Sequence, residues 1–212
     1  MSTPTITRAT PTNTDIFTPQ QLQNGACCFF SEDTKSNKKS TYFFEIRGQT
    51  AVLSTSATEK TFIQAAIQEF LLYSNFIHKI CDVQGNVLMQ KPPQKLQLVE
   101  ISKIQPSQFY ISQQKLADCQ NWLVSEKAVY IPIMGRGGKL IALDGHTRLK
   151  AAANLGFAKI FVYEDFSEDY ILDFVAACEN RHIYSVFDMT VLNGEEYNLK
   201  WLKYCAEYFS GL

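Results

Sequence analysis

The clearest pattern of apolar and polar positions lies between residues 139 and 163. Lys139–Leu143 is a short, mostly apolar run of the kind that forms a buried strand. Gly145 follows it, then apolar residues at near-helical spacing, then Gly156, a residue type that often ends helices. A second apolar run, Lys159–Tyr163, comes next. The pattern predicts a strand, a tight glycine turn, a short helix and another strand.

The turn before this helix carries residues suited to an anion. A helix that begins near His146 directs unpaired backbone N–H groups, with their positive partial charge, toward the turn. Gly145 allows a ligand to approach the backbone closely, and Arg148 offers a planar fork of donors for phosphate oxygens. Asp144 is placed to hold a metal ion or to orient a hydroxyl. This arrangement predicts a phosphate site; in the alternative, Asp144 only caps the helix and Arg148 lies on a solvated face.

The best boundary in the chain is Lys91–Gln94, where two consecutive prolines stop regular structure. Before it, we expect a Thr/Pro-rich, disordered leader over residues 1–15 and a small α+β unit over residues 16–93. After it, we expect a core over residues 94–165 and C-terminal helices over residues 166–212 that pack on this core.

One of the expected core strands contains a proline. Val129–Met134 has the composition of a strand, but Pro132 inside it argues for an edge position or a β-bulge. The glycine-rich segment Gly135–Gly138 then predicts a hairpin that leads into the strand before Asp144.

Composition narrows the class of protein. The chain has 212 residues, of which 46% are hydrophobic and 13% aromatic, enough for one large domain or one domain with a smaller attachment. A formal net charge of −1 argues against a general attraction to nucleic acid. No apolar run is long enough for a membrane span, and the N-terminus lacks a secretion signal, so we expect a cytoplasmic protein without membrane partners. The six cysteines form no Cys-x-x-Cys pair, which fits a reducing compartment.

The motif Asp-Gly-His-Thr-Arg at 144–148, followed by an Ala-rich helix, Leu-Gly and a strand, resembles the ParB/sulfiredoxin superfamily. It is most similar to the Asp-Gly-His-His-Arg motif of the archaeal free-serine kinases. Upstream segments occur in the order that such domains use: Leu98–Ile104, Pro106–Gln108, Lys115–Leu116 and Ile131–Ile133. The resemblance covers roughly residues 95–165 and implies an α+β fold with a ParB/sulfiredoxin-like mixed sheet and helices.

The same resemblance implies a function for the turn. Gly145, His146, Thr147 and Arg148 would hold the phosphates of ATP or ADP, and Asp144 would bind Mg²⁺ or the acceptor. Asp144 and His146 would take part in catalysis. The implied activity is transfer of a phosphoryl group to a small hydroxylated metabolite such as free serine, which mainly needs positioning and charge neutralisation.

The sequence departs from the kinases at one position. They carry Glu in a Pro-x-Glu step, where this chain has Gln108, and a glutamine side chain cannot accept a proton at neutral pH. We expect Gln108 on the substrate side and Glu100, the carboxylate nearest in sequence, as a candidate base. Otherwise the transfer proceeds without a strong base, or the protein is a non-catalytic nucleotide- or metabolite-binding module.

Two other uses of the superfamily fit the motif less well. Sulfiredoxin-like enzymes place a catalytic cysteine where His146 stands. Partition proteins use a Gly-Glu-Arg-Arg-type motif and continue into helix-turn-helix modules, so ParB-like nucleic-acid binding is only a third hypothesis. We also allow for a homodimer.

Overall fold

The computed structural model describes residues 5–9, 17, 27–33, 38–123 and 125–211, and the account below concerns these residues. The chain divides into two compact units, Met1–Gln94 and Lys95–Leu212. The division falls one residue after the Pro92-Pro93 pair. Both units combine strands with helices, so the chain belongs to the α+β class.

The first unit is a six-stranded sheet in the order β1-β2-β3-β4-β5-β6. Its elements are β1 (Ile6–Arg8), β2 (Cys27–Asp33), β3 (Lys38–Arg47), β4 (Thr50–Thr55), α1 (Lys60–Tyr73), β5 (Lys79–Asp82) and β6 (Val87–Gln90). Helix α1 connects β4 to the parallel strand β5, and the other neighbouring strands are antiparallel.

Part of the expected disordered leader is a strand. Ile6–Arg8 pairs antiparallel with Phe29–Ser31 of β2, although its sequence shows no apolar periodicity. The edge of the sheet supplies backbone hydrogen-bond partners to any extended segment, which a pattern of side chains does not reveal. The other residues of the 1–15 segment, apart from residues 5 and 9, lie outside the described residues.

Aromatic side chains form the centre of the first unit. The rings of Phe44 and Phe70 stack with centroids 4.1 Å apart and planes within 1° of parallel. Phe29 meets both edge-on, at 5.8 Å from Phe44 and 6.4 Å from Phe70. All three are completely buried, so β2, β3 and α1 are joined by one apolar cluster.

The second unit contains seven strands and five α-helices in its described residues. Its elements are β7 (Leu96–Glu100), β8 (Ile104–Gln105), β9 (Tyr110–Ser112), α2 (Gln113–Trp122), β10 (Tyr130–Arg136), β11 (Lys139–Ala142), α3 (His146–Asn154), β12 (Lys159–Glu164), α4 (Tyr170–Glu179), β13 (Thr190–Leu192), α5 (Gly194–Tyr197) and α6 (Lys203–Ser210). A π-helical turn, Asn198–Leu202, joins α5 to α6, and we call this continuous segment the C-terminal helix.

The main sheet of this unit is mixed. Its order is β7-β12-β10-β11-β8, and β13 pairs with β9 in a separate two-stranded sheet. Strands β10 and β12 are parallel, with helix α3 lying between β11 and β12 in the chain. Strand β11 runs antiparallel to β10, as the glycine-rich hairpin predicted. The turn that begins α3 therefore follows an inner strand of the sheet.

Pro132 lies in the middle of this sheet, and not at the edge or the bulge that the sequence suggested. Strand β10 has β12 on one side and β11 on the other. The last β10–β11 pair is Ile133 with Ala142, and the Leu143 N–H still donates to the Pro132 carbonyl at 3.0 Å. Because proline has no N–H, it cannot return a bond to Leu143. Pairing ends there, and the chain leaves the sheet at the residue before Asp144.

Apolar side chains lie on both faces of the main sheet. Ile131, Ile133, Ile160 and Val162 belong to the main core and are almost completely buried. On the other face, Ile141 packs with residues of α4. The C-terminal helix is held by aromatic contacts, such as Trp201 with Phe109 at 4.8 Å between centroids. No helix in the described ranges is both long and apolar enough to cross a membrane.

The aromatic cluster generates a stability prediction for the first unit. Phe70→Ala removes a completely buried ring that stacks on Phe44, so we expect the free energy of unfolding to fall by about 3–5 kcal/mol. Leu72→Ala, two residues along the same helix at 71% exposure, should change it by less than about 0.5 kcal/mol. Urea unfolding followed by circular dichroism measures both. Similar losses in the two variants would contradict the assignment of this core.

Candidate functional site

The turn between β11 and α3 is built as the sequence predicted. Gly145 is the N-cap of α3 and adopts a left-handed conformation, with φ of 76°. The first helical bond runs from Leu149 N–H to the Gly145 carbonyl at 2.9 Å. The N–H groups of His146, Thr147 and Arg148 therefore have no partner within the helix, and no side chain caps this end. Three backbone donors and the positive end of the helix dipole are available at one place.

His146 connects this turn to the loop after β8. The Ser107 N–H donates to Nε2 of His146 at 3.0 Å, and the Ser107 hydroxyl donates to the Ala142 carbonyl at 2.7 Å. The hydroxyl oxygen also lies 3.2 Å from Nε2. Since Nε2 accepts the backbone proton, the neutral ring carries its own proton on Nδ1. His146 and Ser107 are both buried, so the two elements are held together by a water-excluded hydrogen bond.

Burial also determines the charge of His146. Desolvation, with a smaller contribution from the Arg148 guanidinium, lowers the pKa of His146 to about 4, while the Asp144 carboxylate opposes this shift. The ring is therefore neutral at pH 7. With Nε2 bonded to Ser107, the group that the ring has left to donate is Nδ1–H, which is a neutral donor and not a second cation.

Arg148 lies across Gly145. Its Nη2 is 3.4 Å from Oδ2 of Asp144, and its side chain is mostly buried although Asp144 is 70% exposed. A Cβ atom on Gly145 would come within 2.9 Å of Nη2 and 3.1 Å of Nε of Arg148, and within 2.8 Å of Cδ1 of Ile131. The glycine is thus required both by its backbone angle and by the space that the guanidinium occupies. The guanidinium of Arg148 therefore packs against Gly145, one helical turn before Arg148 in the chain.

Tyr163 and Asp165 are the residues near this turn that sequence reasoning missed. Burial raises the pKa of Tyr163 to about 12; the nearby Arg148 guanidinium opposes the shift, and the Asp165 and Asp144 carboxylates add to it. The phenol therefore stays protonated beside one cation and two carboxylates. Both residues lie at the end of β12, whose register against β10 no local pattern reveals.

The other predicted site residues lie in different places. Gln108 follows Ser107, and its amide nitrogen donates to the Tyr110 carbonyl at 2.5 Å and lies 3.4 Å from the Tyr197 hydroxyl. Thr147 is in the first turn of α3 and is half-buried. Glu100 ends β7, where its carboxylate pairs with Lys103 at 3.1 Å.

Glu100 is not brought to the turn. Strand β7 is the third strand from β11 in the sheet order. At about 4.8 Å between neighbouring strands, this corresponds to roughly 14 Å across the sheet. Asp144 and Glu100 therefore cannot contact the same atom of a small substrate.

The turn suits a metal ion whose coordination is completed by a bound ligand and by water better than one held by protein side chains alone. Among the described residues, no three His, Cys, Asp or Glu side chains are grouped so that they could hold a metal ion. Mg²⁺ commonly needs only one or two carboxylates when phosphate oxygens and water complete its shell. The exposed carboxylate of Asp144 fits that role, and no other predicted residue does.

Comparisons with known proteins do not identify the chain. No family model matches it, and no curated protein does. A solved structure similar to part of it is protein Atu1540 from Agrobacterium tumefaciens, at 13% sequence identity and a TM-score of 0.33. The match covers 46% of this chain and spans 62% of the other protein's length. The fold class therefore rests on the strands and helices described above.

The space around Gly145 gives a direct test of its role. In Gly145→Ala the new methyl group meets Ile131 and Arg148 and the backbone stays left-handed, so we expect a loss of about 2–4 kcal/mol in unfolding free energy. Gly156→Ala is the matched control, because its φ of 77° is the same but nothing lies within 4 Å. It should lose only about 1 kcal/mol. Urea titration of both variants measures the difference, and equal losses would mean that the packing over Gly145 has no role.

The buried histidine predicts how stability depends on pH. The unfolded chain binds a proton at His146 near the ordinary pKa of about 6.5, but the folded chain binds it only near 4. The contribution of His146 is complete above pH 6.5, falls as the pH drops toward 4, and is constant below that. Its full size is on the order of 3 kcal/mol.

His146→Gln keeps an acceptor for the Ser107 N–H but does not titrate, so it should flatten this part of the pH profile. His182→Asn, at an exposed left-handed position, should preserve it. The two tryptophans, Trp122 and Trp201, both belong to the second unit, so their fluorescence during urea unfolding at several pH values reports the relevant transition. If the unfolding free energy depended on pH in the same way in the wild type, His146→Gln and His182→Asn, the prediction would be wrong.

Proposed function

We propose that the start of α3 binds the phosphates of a nucleotide, ATP or ADP with Mg²⁺, and that the protein transfers a phosphoryl group to a small hydroxylated metabolite such as free serine. The observation that carries this proposal is the uncapped N-terminus of α3, with the Arg148 guanidinium lying against Gly145. The resemblance of Asp144–Arg148 to the ParB/sulfiredoxin superfamily supports it.

Charge explains why this turn suits a nucleotide. Three backbone N–H groups and the helix dipole favour an anion, and Arg148 adds a donor that can bond two phosphate oxygens. Asp144 alone would repel that anion. Mg²⁺, when bound, would neutralise charge on the phosphates, and Asp144 is the residue that would hold it. Arg148 would exchange its 3.4 Å contact with Asp144 for the phosphate.

The neutral groups of the site would orient the ligand. His146 has Nδ1–H left for donation once Ser107 has bonded Nε2, and Tyr163 remains a donor because its pKa is raised. Neither can take a proton from an acceptor hydroxyl at pH 7. In this proposal the transfer depends on positioning and on charge neutralisation more than on general base catalysis.

A non-catalytic nucleotide- or metabolite-binding module is the second candidate, and Gln108 favours it. The position where the free-serine kinases carry a glutamate is occupied here by an amide that donates to the Tyr110 carbonyl. Glu100, the other candidate base, lies on a distant strand. A binding module would need the phosphate contacts at α3 but no base.

We propose that either activity operates in the cytoplasm. The cysteines that the structure describes are free thiols, which suits a reducing compartment. They are Cys28, Cys81, Cys119, Cys178 and Cys205.

Titration calorimetry with ADP, with and without Mg²⁺, tests the proposed site. Arg148→Ala should weaken binding by about 1.5–3 kcal/mol, the range for a hydrogen bond to a charged group. Asp144→Asn should keep the affinity for ADP alone and lose the gain from Mg²⁺. The matched control is Arg136→Ala, which should leave the affinity for ADP unchanged. It removes an exposed guanidinium of the β10–β11 hairpin, where Arg136 pairs with Asp169.

Two results would count against the proposal. Equal losses for Arg148→Ala and Arg136→Ala would indicate unspecific charge attraction, and an absence of nucleotide binding would remove the site from this turn. Transfer of radiolabelled phosphate from ATP to serine, assayed with the wild-type protein, then separates the two candidate functions. Binding without transfer favours the module.

A further inference from the structure

We propose that the C-terminal helix joins two copies of this chain in an antiparallel homodimer. The surface concerned, which we call the C-terminal stripe, consists of Leu199, Leu202, Ala206 and Phe209. It is independent of the proposed nucleotide site.

The C-terminal helix has two apolar faces: the fold buries one, and among the aromatic contacts the other meets the unit through Phe209. Tyr197 and Trp201 are buried on the inner face, and Tyr204 and Tyr208 contact the main core from the same side. The residues of the C-terminal stripe are spaced by three, four and three positions, which places them along another face of the helix. Leu199 is 65% exposed, Leu202 48% and Phe209 50%. Such a row of exposed apolar residues on one helix is typical of a surface that is covered by a partner.

Charged residues beside the stripe indicate that the partner is a second copy. Lys203 and Glu207 lie on the same flank of the stripe. The Nζ atom of Lys203 is 3.7 Å from Oε1 of Glu207, and both side chains are more than half exposed. When two identical helices pack antiparallel about a two-fold axis, equivalent flanks face each other. With the axis near Cys205, Lys203 of each copy meets Glu207 of the other. The same two residues thus form two ion pairs across the interface, whereas in a parallel pairing this flank would face the opposite flank of the partner and these ion pairs would not form.

The shape of the stripe fits a helix–helix contact. Ala206 lies near its middle, next to the axis, where a small side chain lets the two backbones approach closely. Leu202 and Phe209 would pack on either side of it. The interface is short, because the C-terminal helix is only about 25 Å long. We therefore expect a dimer that dissociates on dilution, as small interfaces do.

Analytical ultracentrifugation of the full chain over a range of concentrations tests this inference. We expect the wild-type molar mass to rise from 24.1 kDa to twice that value as concentration increases. Leu202→Glu and Leu199→Glu should each keep the protein monomeric. Phe166→Glu removes an apolar side chain that is 94% exposed elsewhere on the unit, and should dimerise like the wild type. We leave Phe209 unchanged because its ring also contacts Tyr170 and Phe174.

A charge-swap experiment tests the antiparallel arrangement separately. Lys203→Glu places two acidic residues on the flank, and Glu207→Lys places two basic residues there, so each variant alone should be monomeric. An equal mixture should form a heterodimer, because every acidic residue then faces a basic one. A change confined to one helix cannot produce this recovery, since the intrahelical pair stays like-charged in both variants. Circular dichroism of each variant shows that the helix remains folded.

The possible results separate clearly. A monomer at every concentration, or a dimer that Leu199→Glu and Leu202→Glu both leave intact, would overturn the proposal. No association in the charge-swap mixture would overturn the antiparallel pairing. Loss of the dimer in the two stripe variants, with recovery in the mixture, would support it.

Discussion

The candidate site depends on one buried hydrogen bond, from the Ser107 N–H to Nε2 of His146. It connects the first residue of α3 to the loop that follows β8, and the Ser107 hydroxyl extends the connection to the end of β11 through the Ala142 carbonyl. A buried polar group without a partner is costly, so neither residue can leave the other at low cost. The bond therefore fixes where α3 begins, and with it the position of the free backbone N–H groups.

Two features of the surrounding sequence support this arrangement. Pro132 cannot donate a hydrogen bond to Leu143, so β11 stops pairing with β10 just before the turn. Gly145 then adopts the left-handed conformation and leaves room for the Arg148 guanidinium. Each residue would weaken an ordinary strand or helix. Here they release the chain from the sheet and bring a cation to the start of a helix, which is the physical basis for proposing an anion site.

The two units are stabilised in different ways. The first depends on a small group of completely buried phenylalanines between its sheet and α1. The second has a mixed sheet with apolar side chains on both faces, and a C-terminal helix held by aromatic contacts. The C-terminal helix also carries an apolar face that the unit leaves largely exposed, and we relate that face to self-association. The proposed nucleotide site and this surface involve separate residues, so they can be examined independently.

The sequence by itself determined the local features of this protein. The run from Lys139 to Tyr163 forms the predicted strand, turn, helix and strand, because periodicity and a left-handed glycine act over a few residues. Asp144 and Arg148 are close because they are four residues apart at a helix start.

Only the tertiary structure decided the rest. The central position of Pro132, the distance of Glu100 from the turn, the Ser107–His146 bond and the placement of Tyr163 all depend on strand order and register. These join residues that are far apart in the chain, and a pattern of neighbouring side chains carries no information about which distant strand will pair. The strand at Ile6–Arg8 shows the same limit, since its pairing depends on backbone hydrogen bonds to β2, which leave no periodic pattern of side chains in the sequence.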